Sequence, residues 1–167
     1  VVPFPIACGS CFFCNSDLPV HCENSNHEHY GPEGGLIDQK GGGLFGYTDL
    51  YGGYDGGQAQ FVRVPYADIG PRKVPDSLTD EQVLFLTDIF PTGYSGVDWA
   101  EVKGGETVVI FGAGPVGIMA AKSAWLRNAG RVIIVDTLQY RLKKAVAAAN
   151  CETILWTDAE EVVEKIR

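Results

Sequence analysis

Basic residues are scarce in this chain: 13 Lys and Arg stand against 21 Asp and Glu, a formal charge of −8. That balance excludes nucleic-acid partners, because phosphate contacts draw on clustered Lys and Arg. Long apolar runs are missing too. None approaches the ~20 residues that cross a bilayer, so no membrane partner is expected. No basic segment followed by an apolar stretch opens the chain. Support for a secretory signal is therefore lacking, and the cytoplasm is the expected compartment. Cysteine is nearly absent after position 22, with Cys151 the one exception. Charged residues make up 20% and apolar ones 46%, a globular balance and not a disordered one. Position 1 is Val, and a helical pattern is still running at Arg167. Both ends are expected to be internal to a longer protein.

Four of the five cysteines and all three histidines fall in the first 30 residues. Glycine then dominates, with 11 of the 21 glycines between Gly31 and Gly57. Tyr, Leu and Phe are interspersed there, as in Gly43-Leu44-Phe45-Gly46-Tyr47. A plain flexible linker would be Gly and Ser, so an ordered loop laid over a core is expected. Ala59–Pro65 alternates like a strand. Thr79-Asp80-Glu81 opens a helical pattern through Val83, Leu84 and Leu86, with a bend near Pro91. No internal repeat is present.

From about 104 the pattern becomes a regular strand–helix alternation. Thr107–Phe111 is a continuous β-branched and aromatic run, as in a strand buried on both faces. Helical periodicity over 115–128 stops at Ala129-Gly130. Strands are predicted at 132–135 and 152–156, and helices at 138–149 and from Asp158 onward, with Thr157 or Asp158 as N-cap. This order specifies an α/β fold with a parallel sheet and right-handed crossovers.

Cys8, Cys11, Cys14 and Cys22 are spaced C-x2-C-x2-C-x7-C. Short spacings let one tight loop aim several sulfurs at a single point. Four thiolates close a tetrahedral zinc shell, and a closed shell is structural because it leaves no open coordination position. An iron–sulfur cluster and a disulfide pair are the competing uses of the same residues. His21, His27 and His29 sit in a polar stretch and read as a solvated loop. Cys151 reads as a small buried hydrophobe.

Gly112-Ala113-Gly114-Pro115-Val116-Gly117 is G-x-G-x-x-G. It follows a predicted strand, opens a predicted helix, and is followed by Asp136 at the end of the next strand, 19 residues past Gly117. That context is a dinucleotide-binding one. Gly112 allows the tight turn, Gly114 lets backbone approach a diphosphate, and Gly117 lets the helix pack on the strand. The helix N-terminus, carrying Pro115 and Val116, offers N–H groups and partial positive charge. Asp136 accepts from ribose hydroxyls and repels a 2′-phosphate, favouring NAD over NADP. Arg141, five residues on, is counted with the cofactor-binding residues. A Rossmann-like domain that has lost its ligand or binds another nucleotide is the alternative.

A four-cysteine loop followed by a Rossmann half, in this order, resembles the zinc-containing medium-chain alcohol dehydrogenases over essentially the whole chain. Gly56-Gly57-Gln58-Ala59-Gln60-Phe61-Val62-Arg63-Val64-Pro65 is similar to that family's strand motif. Phe85-Leu86-Thr87-Asp88-Ile89-Phe90-Pro91-Thr92-Gly93-Tyr94 is similar to the formaldehyde dehydrogenase and dismutase branch. The resemblance implies a partial GroES-like β domain over 1–80 and the first half of an NAD-binding Rossmann domain over 81–167. It implies a catalytic zinc ligand at Asp88, where many members carry Cys, and a nicotinamide contact at Thr92. The family's other two catalytic-zinc ligands, a Cys and a His, have no counterpart here. By this resemblance the parent transfers hydride between a small alcohol or aldehyde hydrate and NAD, and this chain alone is expected to be inactive. A sorbitol- or threonine-dehydrogenase-like enzyme and a non-catalytic zinc-binding assembly fragment are the alternatives. The strand at 107–111 is expected to leave an apolar edge unpaired, which favours a homo-oligomer.

Overall fold

The computed structural model describes residues 1–26 and 41–167. His27, His29 and the first part of the glycine-rich stretch, 31–40, lie outside the described residues. The chain divides into two compact units, Val1–Thr87 and Asp88–Arg167.

The first unit is built from short elements. Helix α1 spans Phe12–Asn15, and single 3₁₀ turns occur at Pro19–His21 and Asp49–Tyr51. Two isolated bridges, Pro5 with Leu44 and Phe45 with Tyr54, are the β pairing among its described residues. Its small core joins Ala7, Cys11 and Cys22, with Cys8, Phe13 and Cys14 packed against them. The described part of the glycine-rich stretch, 41–57, is laid over this region as expected. Gly43 donates to Ser25 Oγ at 2.8 Å, and Tyr54 donates to the Ser25 carbonyl at 2.7 Å. Tyr47 packs against Phe4 and Tyr51, so the interspersed aromatics act as anchors.

Two local expectations fail here. Ala59–Pro65 forms no strand. Phe61 is 91% exposed. A strand needs a ladder partner for its N–H and C=O groups, and among the described residues none lies beside it. The helical pattern from Thr79 breaks into three pieces. Helix α2, Asp80–Val83, is held by a capping box in which Gln82 Oε1 accepts from the Thr79 N–H at 2.9 Å. A 3₁₀ turn covers Leu84–Thr87, and helix α3 starts afresh at Ile89 and runs to Trp99. The break falls at Asp88, whose backbone leaves the helical region (φ −155°, ψ −66°). Pro91 sits in the first turn of α3, where its missing N–H costs no hydrogen bond.

The second unit follows the predicted alternation. Strand β1 spans Thr107–Phe111, helix α4 Pro115–Leu126, strand β2 Arg131–Asp136, helix α5 Gln139–Ala149, strand β3 Glu152–Leu155 and helix α6 Ala159–Ile166. The strands form a parallel sheet in the order β1-β2-β3, with Val109 beside Ile133 and Val135 beside Ile154. Alternate residues face opposite sides. Val132 and Ile134 join Ala121 and Ala124 of α4 and Leu142 and Ala145 of α5 in the larger core. Ile133, Val135 and Ile154 pack against Val162 of α6. Asp158 caps α6, its side chain accepting from the Glu160 and Glu161 N–H groups.

β1 corrects one expectation. It is half-buried, with Phe111 65% exposed, whereas β2 is the strand buried on both faces. β1 pairs on one side only among the described residues, so its run of Val and Ile reflects a site with room for a further neighbour. Cys151 is buried, as expected, just before β3. All three tryptophans, Trp99, Trp125 and Trp156, belong to this unit.

Candidate functional site

Two constellations emerge, one in each unit. In the first, the Sγ atoms of Cys8, Cys11, Cys14 and Cys22 all lie within 4.8 Å of one another. Cys8 and Cys14 stand 3.9 Å apart, as do Cys11 and Cys22. A tetrahedron with Zn–S of ~2.3 Å has edges of ~3.8 Å, so these two pairs already stand at the separation a zinc shell needs. None of the four is in a disulfide. The loop also supplies donors to the sulfurs. The Ser10 and Cys11 N–H groups reach Cys8 Sγ at 3.4 and 3.3 Å, Asn24 Nδ2 reaches it at 3.3 Å, and the Cys8 N–H reaches Cys22 Sγ at 3.2 Å.

These donors set the charge. Burial opposes the Cys8 thiolate, but the donors from Ser10, Cys11 and Asn24 outweigh it and bring the group down to about 5. The Cys14 N–H lowers Cys11. Burial pushes Cys14 up to about 12, reinforced by hydrogen bonds and charge from the neighbouring sulfurs. Four thiols this close cannot all ionise without a cation among them, which is the electrostatic case for a metal here. The cluster fits a structural zinc. His21 stands apart from it, exposed, its ring against Phe13.

The second constellation lies at the carboxyl ends of β1 and β2. Gly112 turns the chain with φ +104°, a conformation that favours glycine. A Cβ on Gly117 would collide with the Gly112 carbonyl, whereas a Cβ on Gly114 would meet nothing within 4 Å. Gly117 is thus required for packing, and Gly114 faces open space. Gly114 is the N-cap of α4 and Pro115 its first residue, and no side chain caps this end. The N–H groups of Val116 and Gly117 have no intrahelical carbonyl to meet.

Asp136 is largely buried, and each carboxylate oxygen has one close partner. Oδ2 accepts from the Ala113 N–H at 2.7 Å and Oδ1 from the Leu138 N–H at 2.7 Å. These donors, Ala113 first, hold its carboxyl below the usual carboxylate range, and the nearby Arg141 charge adds to the effect. Arg141 itself is exposed and folds back on Tyr140. Asp88 and Thr92 sit at the start of α3, where Thr92 Oγ1 donates to Asp88 Oδ1 at 2.9 Å and also meets the Asp88 carbonyl at 2.9 Å. Asp88 is exposed, and among the described residues the four cysteines are the only group of three or more His, Cys, Asp or Glu placed to hold an ion.

Sequence reasoning missed four contributors. Asn24 and Ser10 carry no signal beyond being polar neighbours of cysteines. The Ala113 N–H is a backbone group and leaves no trace in composition. Gly93 is the fourth: a Cβ there would stand 2.7 Å from the Ala120 nitrogen, so this glycine lets α3 lie directly on α4. Its place beside Thr92 was a readable hint.

Fold and sites together define a chain in which a four-thiolate metal loop precedes the first half of a Rossmann sheet. Comparison with known proteins agrees. No family model matches the chain. It is 42% identical over 162 residues to the uncharacterized zinc-type alcohol dehydrogenase-like protein AdhB of Bacillus subtilis, covering 96% of this chain and 40% of that protein. It is 43% identical over 157 residues to the glutathione-independent formaldehyde dehydrogenase of the same organism, covering 92% of this chain and 35% of that one. Among solved structures, the alcohol dehydrogenase TADH from Thermus sp. ATN1 superposes with a TM-score of 0.78 at 31% identity, over 99% of this chain and 43% of that one. The chain is a homologue of the zinc-type alcohol and formaldehyde dehydrogenases, and it spans about 40% of the length of the relatives it matches.

Proposed function

We propose that this chain contributes the structural-zinc loop and the first half of the NAD site to an NAD-dependent zinc oxidoreductase that acts on small alcohols or aldehyde hydrates. The observation that carries this reading is the glycine turn: Gly114 faces open space at an uncapped helix N-terminus, with the Asp136 carboxylate bonded to the same turn. A nucleotide diphosphate suits such an end, because free N–H groups and the helix dipole both favour an anion. When bound, NAD would supply the hydride acceptor. Val116 and Gly117 would donate to the diphosphate, Asp136 would accept from the adenosine ribose, and Arg141 would flank that ribose. The negative charge of Asp136 disfavours a 2′-phosphate, which selects NAD over NADP.

Zinc at Cys8, Cys11, Cys14 and Cys22 would tie α1 and the residues before it to the end of the turn at Pro19–His21. A catalytic zinc is a separate question. Asp88 suits a ligand role, since Thr92 fixes its carboxylate, but the described residues bring it no partner ligands. In this reading the chain alone is inactive. Thr92, one residue before the close approach of α3 to α4, is read as flanking the nicotinamide end. The open edge of β1 and the exposed Phe111 support a homo-oligomer.

The test is calorimetric titration with NAD and NADP. Saturable NAD binding, with NADP at least about tenfold weaker, supports the reading. Absence of binding by either nucleotide refutes the cofactor assignment.

A further inference from the structure

Asp136 has work in this structure before any nucleotide arrives. Its two oxygens bond two different turns: Oδ2 takes the Ala113 N–H after β1, and Oδ1 takes the Leu138 N–H after β2, both at 2.7 Å. The Gly112 N–H donates to the Val135 carbonyl at 2.7 Å, extending the β1–β2 ladder by one step. Gly112 then swings to φ +104° and carries the chain out of the sheet. At the next residue the Asp136 side chain accepts the bond from Ala113 that a backbone carbonyl would otherwise have to provide. The Asp136 carbonyl is meanwhile taken by the Trp156 N–H at 2.9 Å. The residue is therefore fixed at both backbone and side chain, and is 8% exposed. No side chain caps α4, and the 112–114 turn is held by the ladder step, by the packing of Gly117 on the Gly112 carbonyl, by the Ile118 N–H on the Gly114 carbonyl at 3.0 Å and by this carboxylate.

We propose that Asp136 is a positioning residue for the diphosphate as well as a ribose acceptor: by holding the Ala113 N–H it sets the glycine turn in the shape that presents the N-terminus of α4 to the anion. This rests on the dinucleotide reading and deepens it. The two roles predict opposite outcomes for a ligand that has phosphates and no ribose. If Asp136 only meets ribose, its removal leaves inorganic pyrophosphate binding unchanged, or tightens it, because one negative charge near the site is gone. If it holds the turn, removal weakens pyrophosphate binding even though the site becomes less negative.

The experiment titrates pyrophosphate and ADP-ribose into wild type, Asp136→Ala and Asp136→Asn, followed by amide NMR, with hydrogen exchange at Ala113 measured in each. Asn keeps one acceptor oxygen and the shape of Asp, so it carries the comparison if the alanine variant fails to fold. Expected is a loss of roughly tenfold in pyrophosphate affinity, the size of one charge-assisted hydrogen bond, with faster exchange at Ala113. Loss of ADP-ribose binding with pyrophosphate binding intact or tighter overturns the positioning role and leaves the dinucleotide reading standing. Failure of the wild type to bind either ligand overturns both.

Discussion

Substituting Gly114 and Gly117 separately by Ala divides binding from folding. The first faces open space and the second packs on the Gly112 carbonyl. Gly114→Ala adds a methyl group where the protein has nothing to hit, in extended backbone that any residue adopts. Its stability cost is that of a poorer N-cap, about 0.5–1 kcal/mol. The same methyl occupies the approach path of a diphosphate and pulls it from the N–H groups of Val116 and Gly117. Losing two charge-assisted hydrogen bonds at about 1.5 kcal/mol each weakens NAD roughly 100-fold. Gly117→Ala forces backbone apart between the turn and α4, at about 3 kcal/mol or more. For a unit of this size that is a fall in melting temperature of roughly 10 °C or more. The assay pairs calorimetric NAD titration with thermal melts followed by circular dichroism. The reasoning is refuted if Gly114→Ala binds NAD within about twofold of wild type, or if the two variants melt alike.

Elemental analysis of protein purified without added metal should give one zinc per chain, and Cys22→Ser, at a fully buried position, should abolish it with loss of the first unit's fold. The folded-state pKa of Asp136 is depressed, so its contribution to stability is full above the unfolded value of about 3.9 and is lost as pH falls through the folded one. Urea midpoints of wild type and Asp136→Asn should therefore differ at pH 6 and converge in stronger acid; a constant gap would show that the carboxylate charge is not involved. Phe61→Ser should change stability by no more than about 0.5 kcal/mol by urea denaturation, since the ring is almost fully exposed. Phe111→Lys, at the open edge of β1, should shift sedimentation toward monomer.

The second unit was legible because its signals are local. Continuous apolar strands, a glycine turn and an amphipathic α5 each declare themselves within a dozen residues, and all six elements from β1 to α6 appear where the periodicity puts them. Ala59–Pro65 was misread because alternation states only that a segment could pair, and pairing is decided by a distant neighbour. β1 was misread for the converse reason: its sequence describes the burial it is suited to, not the neighbours it has here. Spacing alone assembled the cysteine cluster, since three ligands fall within seven residues of loop. The bond from Ala113 to Asp136 spans 23 residues and uses a backbone donor, so no residue pattern could reveal it.

The placement of the tryptophans has a spectroscopic consequence. Excited at wavelengths tyrosine does not absorb, the chain emits only from the Asp88–Arg167 unit. Trp125 is a packed reporter there, its indole N–H held by the Ala149 carbonyl at 2.8 Å, while Trp99 is 82% exposed and reads solvent in either state. An emission-monitored melt thus follows the packing of α4 on α5 through Trp125 and, through Trp156 against Phe111, the end of the sheet. Tyr47, Tyr51, Tyr54 and Tyr66 lie in the first unit, so unravelling of the zinc loop changes absorbance over the constant contribution of Tyr94, Tyr140 and the tryptophans. Chelation followed in both channels separates unravelling of the metal loop from loss of the nucleotide fold in one sample.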